Sequence, residues 1–345
     1  VENHPFETIS YVIDVYRGAV PAQRNPLKFL LFLVCFPRLV AGPIVRYTQL
    51  VREIEYREHT LTDFSAGVTR FTKGLFKKVF FANVAGELCQ QFLGKDVAGA
   101  TVGGEWFGLV MFSLQIYFDF SGYSDMAIGL GRMFGFHFPE NFDHPYVSRS
   151  LTEFWRRWHI SLGGFFREYV YIPLGGNRHH QTRNIFVVWA LTGAWHGASW
   201  NFVLWGLYFA VFLLLEKNGL LRLLGVLPRL VQHLYALFFI VLGWGLFYFT
   251  DLPRLGASLR LLFGLSDAAL YNYDVASALQ ANAFWLAFAL VLCAPVSSLV
   301  ERELVRLAGV RAWAGGVVLA NLLFLAVSTS LLVGRTYNPF IYFRF

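Results

Sequence analysis

Cysteine and charge are scarce in this sequence of 345 residues. The three cysteines, Cys35, Cys89 and Cys293, show no CxxC spacing, and each lies in or beside an apolar stretch. These features argue against a disulfide scaffold and a thiolate metal site, so we interpret all three as small core residues and expect no metal. Charged residues account for only 15% of the chain, against about 25% in soluble domains. A large soluble domain is therefore disfavoured.

Apolar and aromatic residues dominate the composition instead. Hydrophobic residues make up 56% of the chain, which includes 36 Phe, 16 Tyr and 10 Trp. This composition suits bilayer-facing surfaces and the aromatic belts at membrane interfaces. The net charge of +7 does not indicate nucleic-acid binding, because the basic residues are scattered between apolar runs instead of forming one face. We expect a polytopic membrane protein with no nucleic-acid partner.

Apolar runs that approach the length of a membrane span recur along the chain. They lie at 106–120, 185–195, 201–215, 230–249, 284–300 and 317–333. Several are short and follow each other closely, which predicts broken, tilted or re-entrant helices. The run 27–45 contains Pro37 and the Gly42-Pro43 pair, where we expect it to kink and end. In all we expect roughly eight membrane segments.

Two segments combine helical periodicity with charge. Residues 64–81 place four basic residues among phenylalanines, and residues 252–265 place Arg254 and Arg260 among leucines. Both patterns are typical of amphipathic helices at a membrane interface. The sequence shows neither a fixed-period repeat nor an inverted pair of Gly/Pro-broken segments, which weakens the case for a secondary transporter.

The first polar block inside an apolar run covers residues 117–125 and contains two carboxylates, Asp119 and Asp125. A carboxylate at membrane depth is costly unless it is paired or lines a wet cavity, so both are candidates for a polar interior. Equally, they can cap a helix break at Gly122 and hold it in place.

A second block, residues 145–177 with a core that begins at residue 153, is rich in arginine. Helical spacing places Trp155, Trp158 and Leu162 along one face, with His159 beside them. Arginines such as Arg156 and Arg157 can bind phosphate bidentately, as a nucleotide-containing acyl donor requires, or can keep a loop on the cytoplasmic side.

The third block, residues 191–201, sets His196 among small residues and between Trp195 and Trp200. Small residues allow neighbouring backbones or a substrate to come close. An ionisable group at membrane depth is rare and usually functional, although it can also be a satisfied core residue. A neutral imidazole can take a proton from a hydroxyl as that oxygen attacks a thioester. We therefore expect a functional role for His196.

Together these blocks resemble a known family. Residues 155–162 (WRRWHISL) and 195–197 (WHG) are similar to the signature of the membrane-bound O-acyltransferase family, in its bacterial polysaccharide-acetylation branch. Further matches lie at 10–18 (SYVIDVYRG), 39–46 (LVAGPIVR), 117–125, 169–177 (YVYIPLGGN) and 338–343. Family members usually carry additional helices before the 10–18 stretch, so we expect one such domain over 1–345 that lacks N-terminal helices.

The resemblance implies an all-α membrane fold, a ring of tilted and re-entrant helices around a thin partition with a central tunnel. His196 matches the family's invariant catalytic histidine, and His159 matches a second position occupied by His or Asn. We expect substrate contacts from Arg156, Arg157, Trp155, Trp195, Asp119, Asp125 and Asn201.

The resemblance also implies substrates and partners. An acyl thioester, acetyl-CoA in the alginate-type branch, reaches the histidine from the cytoplasmic side of the bacterial inner membrane, and no permanently bound cofactor is expected. The acceptor is a hydroxyl of an exported polysaccharide or of a periplasmic acetyltransferase partner within an export complex, and membrane lipid surrounds the domain. Peptidoglycan or cellulose acetylation and D-alanyl transfer use the same chemistry.

The mechanistic hypothesis is that His196 is the general base, while His159 orients the donor or polarises its carbonyl. No covalent acyl-enzyme is required, because Ser161 and Ser199 lack a nucleophile context such as GxSxG. Two other classes of function remain: a proton-coupled transporter or flippase, which would also place His and Asp at depth, and a non-catalytic scaffold for an export complex. Thioester consumption distinguishes an acyltransferase from both.

Overall fold

The computed structural model describes residues 4–39, 42–94 and 99–333. Within these ranges the chain forms helices, turns and one isolated antiparallel bridge, with no β-strand. Residues 40 and 41 of the 39–46 match, and the whole of the 338–343 match, lie outside the described residues. The expected all-α fold is confirmed.

Sixteen α-helices follow one another in the described part of the chain. They are α1 His4–Tyr16, α2 Pro26–Leu33, α3 Tyr47–Glu55, α4 Leu61–Phe76, α5 Asn83–Leu93, α6 Val102–Met133, α7 Leu151–Arg157, α8 Ile160–Phe166, α9 Gln181–His196, α10 Trp200–Leu215, α11 Leu221–Val226, α12 Arg229–Tyr248, α13 Leu252–Leu262, α14 Tyr273–Ala281, α15 Ala283–Leu292 and α16 Val296–Leu332. Wider π-helical turns at Lys77–Ala82, Arg167–Tyr171 and Glu216–Leu220 follow α4, α8 and α10.

Polar side chains at the helix starts explain several of these boundaries. The Thr60 side chain accepts a hydrogen bond from the backbone N–H of Asp63 at the start of α4, and Thr101 does the same for Gly104 at the start of α6. Ser150 accepts from Glu153 N–H at the start of α7. Each cap satisfies a backbone donor that the helix itself leaves without a partner.

The apolar runs of the sequence coincide with helices, but fewer helices qualify as spans than expected. By length and composition, α12 and α16 are candidate membrane spans within the described residues, and α14 with α15 forms a third if this pair, bent by 67°, is one span. Roughly eight were expected. The difference arises because runs such as 185–195 and 201–215 form helices of 16 residues each, about 24 Å long, which is short for a bilayer core. The expected broken helices are thus present.

Helix α4 is packed into the protein. Its Gly74 lies so close to α6 that a Cβ at this position would be 2.5 Å from the carbonyl oxygen of Gly122, and a Cβ on Gly67 would be 2.6 Å from that of Gly129. Glycines allow this close approach of two helices. One side of α4 therefore lies against the core helix α6, and Arg70, Lys77 and Lys78 of the segment 64–81 pair with carboxylates of α6. The interfacial placement of this segment stays a prediction.

Helix α6 is 32 residues long and forms the centre of the main core. Aromatic rings on its flanks pack against rings of α5 and α12. The helix runs without a break through Gly122. The alternative in which Asp119 and Asp125 cap a break at Gly122 is therefore wrong.

Candidate active site

The arginine-rich block forms two short helices that are separated by a break at His159. Helix α7 ends at Arg157, and α8 begins at Ile160. Between them His159 has φ +46° and ψ +55°, the left-handed conformation, which is unfavourable for a residue with a Cβ and often marks functional sites. The expected single helical face of Trp155, Trp158 and Leu162 is therefore wrong, because the helix is broken at His159, although all three residues line one cavity.

A short backbone pairing holds this break. Asp143 N–H donates to Arg157 carbonyl oxygen at 2.9 Å, and Ile160 N–H donates to Asn141 carbonyl oxygen at 3.0 Å. Phe142 and Trp158 form the antiparallel bridge between them. The left-handed residue is thus fixed by contacts with a segment 16 to 18 residues earlier in the chain, which offset the cost of its conformation.

The imidazole of His159 is buried and is hydrogen-bonded on one side. Its Nδ1 lies 3.0 Å from Oδ1 of Asn141, which is itself fully buried. The same oxygen accepts from Ser161 N–H at 3.2 Å and from Ser161 Oγ at 2.8 Å. Nε2 of His159 is also buried and has no hydrogen-bond partner among the described residues.

A cavity of about 300 Å³ opens beside this ring. Its walls are mostly apolar and include Trp155, Trp158, Leu162, Phe166, Ile185, Val188 and Trp189, and His159 and Thr192 also line it. Three cations line the same cavity: Arg156, Arg167 and Lys217. None of the three forms an ion pair with another described residue. A cavity with apolar walls and uncompensated positive charge suits a ligand with an anionic end.

A buried carboxylate anchors the helix that carries Trp155 and Arg156. Glu216 accepts hydrogen bonds from Leu151 N–H at 2.7 Å, from Thr152 N–H at 2.8 Å and from the Tyr235 hydroxyl at 3.1 Å. Its side chain therefore satisfies the first backbone donors of α7, where a negative charge is also favoured by the helix dipole.

His196 lies at the last residue of α9, in a box of aromatic rings. Ring centroids of Trp195, Phe247 and Trp205 lie 4.8, 5.1 and 5.2 Å from its own. Trp195 also lies 6.3 Å from His159 between centroids. The structure therefore brings the two predicted histidines to the same region, with Trp195 next to both.

Small residues bring α9 and α10 together around this box. A Cβ on Gly193 would be 2.3 Å from the carbonyl oxygen of Phe202, and a Cβ on Gly206 would be 2.2 Å from that of Trp189. Asn201, one of the expected substrate contacts, donates to the carbonyl oxygens of Leu246 and Phe247 at 3.3 and 3.2 Å. In this position Asn201 ties α10 to α12 and does not line the cavity.

The two aspartates are not at the histidine cavity. Asp119 pairs with Lys78 at 2.6 Å. Asp125 pairs with both Arg70 and Lys77 at 2.6 Å and lines a separate cavity of about 410 Å³. These ion pairs join α6 to α4 and the turn after it, which gives the buried carboxylates the paired partners that depth requires.

The two neighbouring arginines also separate. Arg156 lines the cavity, whereas Arg157 pairs with Asp143 at 2.9 Å and with Glu153 at 3.1 Å. Arg157 therefore holds the backbone pairing at the break, while Arg156 is available to a ligand.

Sequence reasoning missed Asn141, Glu216 and Lys217. Glu216 could have been predicted to be important, because a lone carboxylate at the end of the apolar run 201–215 needs a partner. Asn141 carried none, since nothing in its own neighbourhood links it to His159, 18 residues later.

Groups of three or more metal-binding side chains are absent from the described residues. Two buried imidazoles lie in one region, and one of them, His159, lines a cavity that suits an anionic ligand, whereas His196 is not among the residues that line it. In a helical membrane fold this arrangement is consistent with an enzyme of acyl transfer. The sequence profile of the membrane-bound O-acyltransferase family matches residues 19–224, and the chain belongs to that family. It is a membrane protein that uses an acyl donor.

Relatives of known name agree with this class. The chain is 37% identical to the probable alginate O-acetylase of Azotobacter vinelandii, over 99% of this chain and 74% of that protein. It is 46% identical to the protein of the same name from Pseudomonas aeruginosa, over 71% and 47%. It is 35% identical to the peptidoglycan O-acetyltransferase of Helicobacter pylori, over 71% and 48%. The chain thus spans between about half and three quarters of these relatives.

Proposed function

We propose that this chain moves an acetyl group from a cytoplasmic acyl thioester to a hydroxyl of an exported polysaccharide or of a periplasmic partner, as in alginate O-acetylation. The observation that carries the proposal is the cavity that joins three unpaired cations to His159. The alginate acceptor is favoured over peptidoglycan by the higher identity to the alginate relatives, 46% against 35%.

The donor that suits the cavity has a phosphate-bearing end and a slender arm. Arg156, Arg167 and Lys217 supply charge for phosphate groups, and guanidinium can bind them bidentately. Indole rings such as those of Trp155 and Trp189 give the arm an apolar wall. Acetyl-CoA has this composition, and so does an acetylated phosphopantetheine on a carrier.

In the proposed reaction His196 is the general base. The acceptor hydroxyl attacks the thioester carbonyl carbon and its proton passes to the imidazole, while the carbon–sulfur bond breaks and the proton is then delivered to the leaving thiolate. Atoms and charge balance, giving an O-acetyl ester and a free thiol. The aromatic box around His196 supports this role, because it keeps water from competing with the acceptor hydroxyl.

The acceptor approaches from the periplasmic face of the inner membrane in this proposal, through a periplasmic acetyltransferase or export complex. Arg157, Asp119 and Asp125 then have structural roles, since their charges are balanced by ion pairs. In this proposal Trp155 and Trp195 still contact the donor, as the sequence predicts.

The test is the release of free thiol from acetyl-CoA by the chain in native membranes, together with the O-acetyl content of the exported polymer in cells that express it. We expect both to depend on His196. Transport of a solute across vesicles without thiol release, in membranes that also contain the acceptor polymer, would overturn the proposal in favour of a transporter.

A further inference from the structure

The hydrogen bonds around Asn141 identify which of its side-chain atoms faces His159. A backbone N–H can only donate, and that of Ser161 points to Oδ1 of Asn141 at 3.2 Å. The atom in that position must therefore accept, so it is the amide oxygen and not the amide nitrogen. The Nδ2 group of Asn141 accordingly faces the Oγ of Ser124, at 3.2 Å.

The hydroxyl of Ser161 fits the same assignment. Its Oγ accepts a hydrogen bond from Ile44 N–H at 3.0 Å, so its own hydrogen is available to the Asn141 oxygen, 2.8 Å away. Each donor and acceptor in this buried network has one consistent role. An amide flip would leave a backbone N–H facing an NH₂ group, which is costly in a buried site.

The tautomer of His159 follows. Because the Asn141 oxygen can only accept, Nδ1 of His159 must carry the hydrogen. The ring is buried, and its described hydrogen-bond partner is neutral, which favours the uncharged imidazole. In an uncharged ring with a hydrogen on Nδ1, Nε2 carries only a lone pair.

We propose that Asn141 is a positioning residue that holds His159 with Nε2 as a hydrogen-bond acceptor, and that Nε2 receives the amide N–H nearest the thioester of a pantetheine-type donor. This proposal rests on the proposed function for the identity of the donor. Of the two roles expected for His159, orienting the donor and polarising its carbonyl, it selects the first, because a lone pair cannot donate to a carbonyl oxygen.

The chemistry of the donor supports this match. In a pantetheine thioester the nearest N–H is separated from the sulfur by two methylene groups, so an acceptor beside that N–H lies close to the reacting carbonyl carbon. His159 and Arg156 line one cavity, so the phosphates and the amide of a single ligand can be bound together. An asparagine at position 159 retains an acceptor and tolerates the left-handed backbone.

The tautomer is tested without any substrate. The chain is labelled with ¹⁵N-histidine in detergent or nanodiscs, and the His159 signals are assigned by their loss in His159→Asn. We expect a protonated Nδ1 and an unprotonated Nε2, and a change toward a mixture in Asn141→Ala. Asn184→Ala, which removes another fully buried amide, should leave these signals unchanged. A hydrogen on Nε2 in the wild-type chain, or no change in Asn141→Ala, overturns the role of Asn141.

The ligand contact is tested with two small thioesters, S-acetyl-N-acetylcysteamine and its analogue in which the amide N–H is replaced by an ester oxygen. We expect the wild-type chain to release thiol from the amide compound about three- to tenfold faster at limiting concentration, as one hydrogen bond allows. Asn141→Ala should reduce this preference, and His159→Gly, which suits the left-handed backbone, should abolish it. An equal preference in His159→Gly overturns the contact. If neither thioester is consumed but acetyl-CoA is, the contact is also overturned, whereas failure with all three refutes the proposed function and leaves the tautomer result standing.

Discussion

The ring of His159 lies 6.3 Å from the indole ring of Trp195, measured between centroids, and Trp195 directly precedes His196. The two histidines therefore reach one region from different elements, His159 from the break between α7 and α8, and His196 from the end of α9. The Trp195 ring centroid is 4.8 Å from that of His196, so one indole ring is close to both imidazoles. Donor binding and proton transfer can thus be tested separately.

Replacement of His196 should remove activity without removing the fold. His196→Gln keeps a polar side chain of similar length but no base near neutral pH, so thiol release should fall about 100- to 10,000-fold. The measurement is polymer O-acetylation in cells, normalised to the amount of protein in the membrane. The exposed His59→Gln is the matched control and should be normal. His159→Asn should be milder than His196→Asn, and the reverse order would exchange the two roles.

Arg156 and Arg157 should differ although they are neighbours. Arg156→Gln removes an unpaired cation from the cavity and should raise the KM for acetyl-CoA severalfold with little change in kcat. Arg157→Gln breaks contacts with Asp143 and Glu153 and should lower stability by about 1 kcal/mol, with the KM for the donor unchanged. Steady-state kinetics and thermal unfolding of both variants measure this. If both variants raise the KM for acetyl-CoA, both arginines contact the donor and the distinction between them is wrong.

The loop containing Arg178, His179 and His180, together with Arg183 at the start of α9, should face the cytoplasm, because this segment is short and basic and adjoins an apolar segment. Asn177 in this loop accepts a hydrogen bond from Lys217, which lines the histidine cavity, so the cavity should open on the same side. A His179→Cys variant is suited to labelling, since the native cysteines are buried. If an impermeant reagent labels this cysteine from the periplasm, the predicted orientation is wrong.

The close contact between α4 and α6 should be sensitive to one methyl group. Gly74→Ala places a Cβ 2.5 Å from a backbone carbonyl, which cannot move away as a side chain can, so we expect a loss of about 1–3 kcal/mol in stability. Gly256→Ala is the matched control, because nothing lies within 4 Å of its Cβ position in α13 and alanine favours a helix. Thermal unfolding in detergent compares them, and equal midpoints would mean that the two helices do not approach so closely.

Much of the fold could be read from the sequence, because apolar periodicity is a local property. The run at 106–120 lies inside α6, and the run at 230–249 coincides with α12 to within one residue. The break at His159 could not be read, since WRRWHISL has no glycine or proline and its left-handed residue depends on pairing with residues 141–143. In the same way, Asp119 signalled that a buried partner was needed, but nothing local identified Lys78.

Glu216 and Lys217 are consecutive residues; the first contacts the start of α7, and the second lines the histidine cavity. Glu216 holds the start of α7, the helix that leads to His159, while Lys217 contributes one of the unpaired cations. Because the two residues are adjacent in the chain, the contact of Glu216 with α7 restricts how far Lys217 can move from the helix that leads to His159. We therefore expect the site to be selective for the length of the donor arm. A thioester on a shorter or longer arm should still bind through its phosphates, but its carbonyl group should lie away from the two histidines.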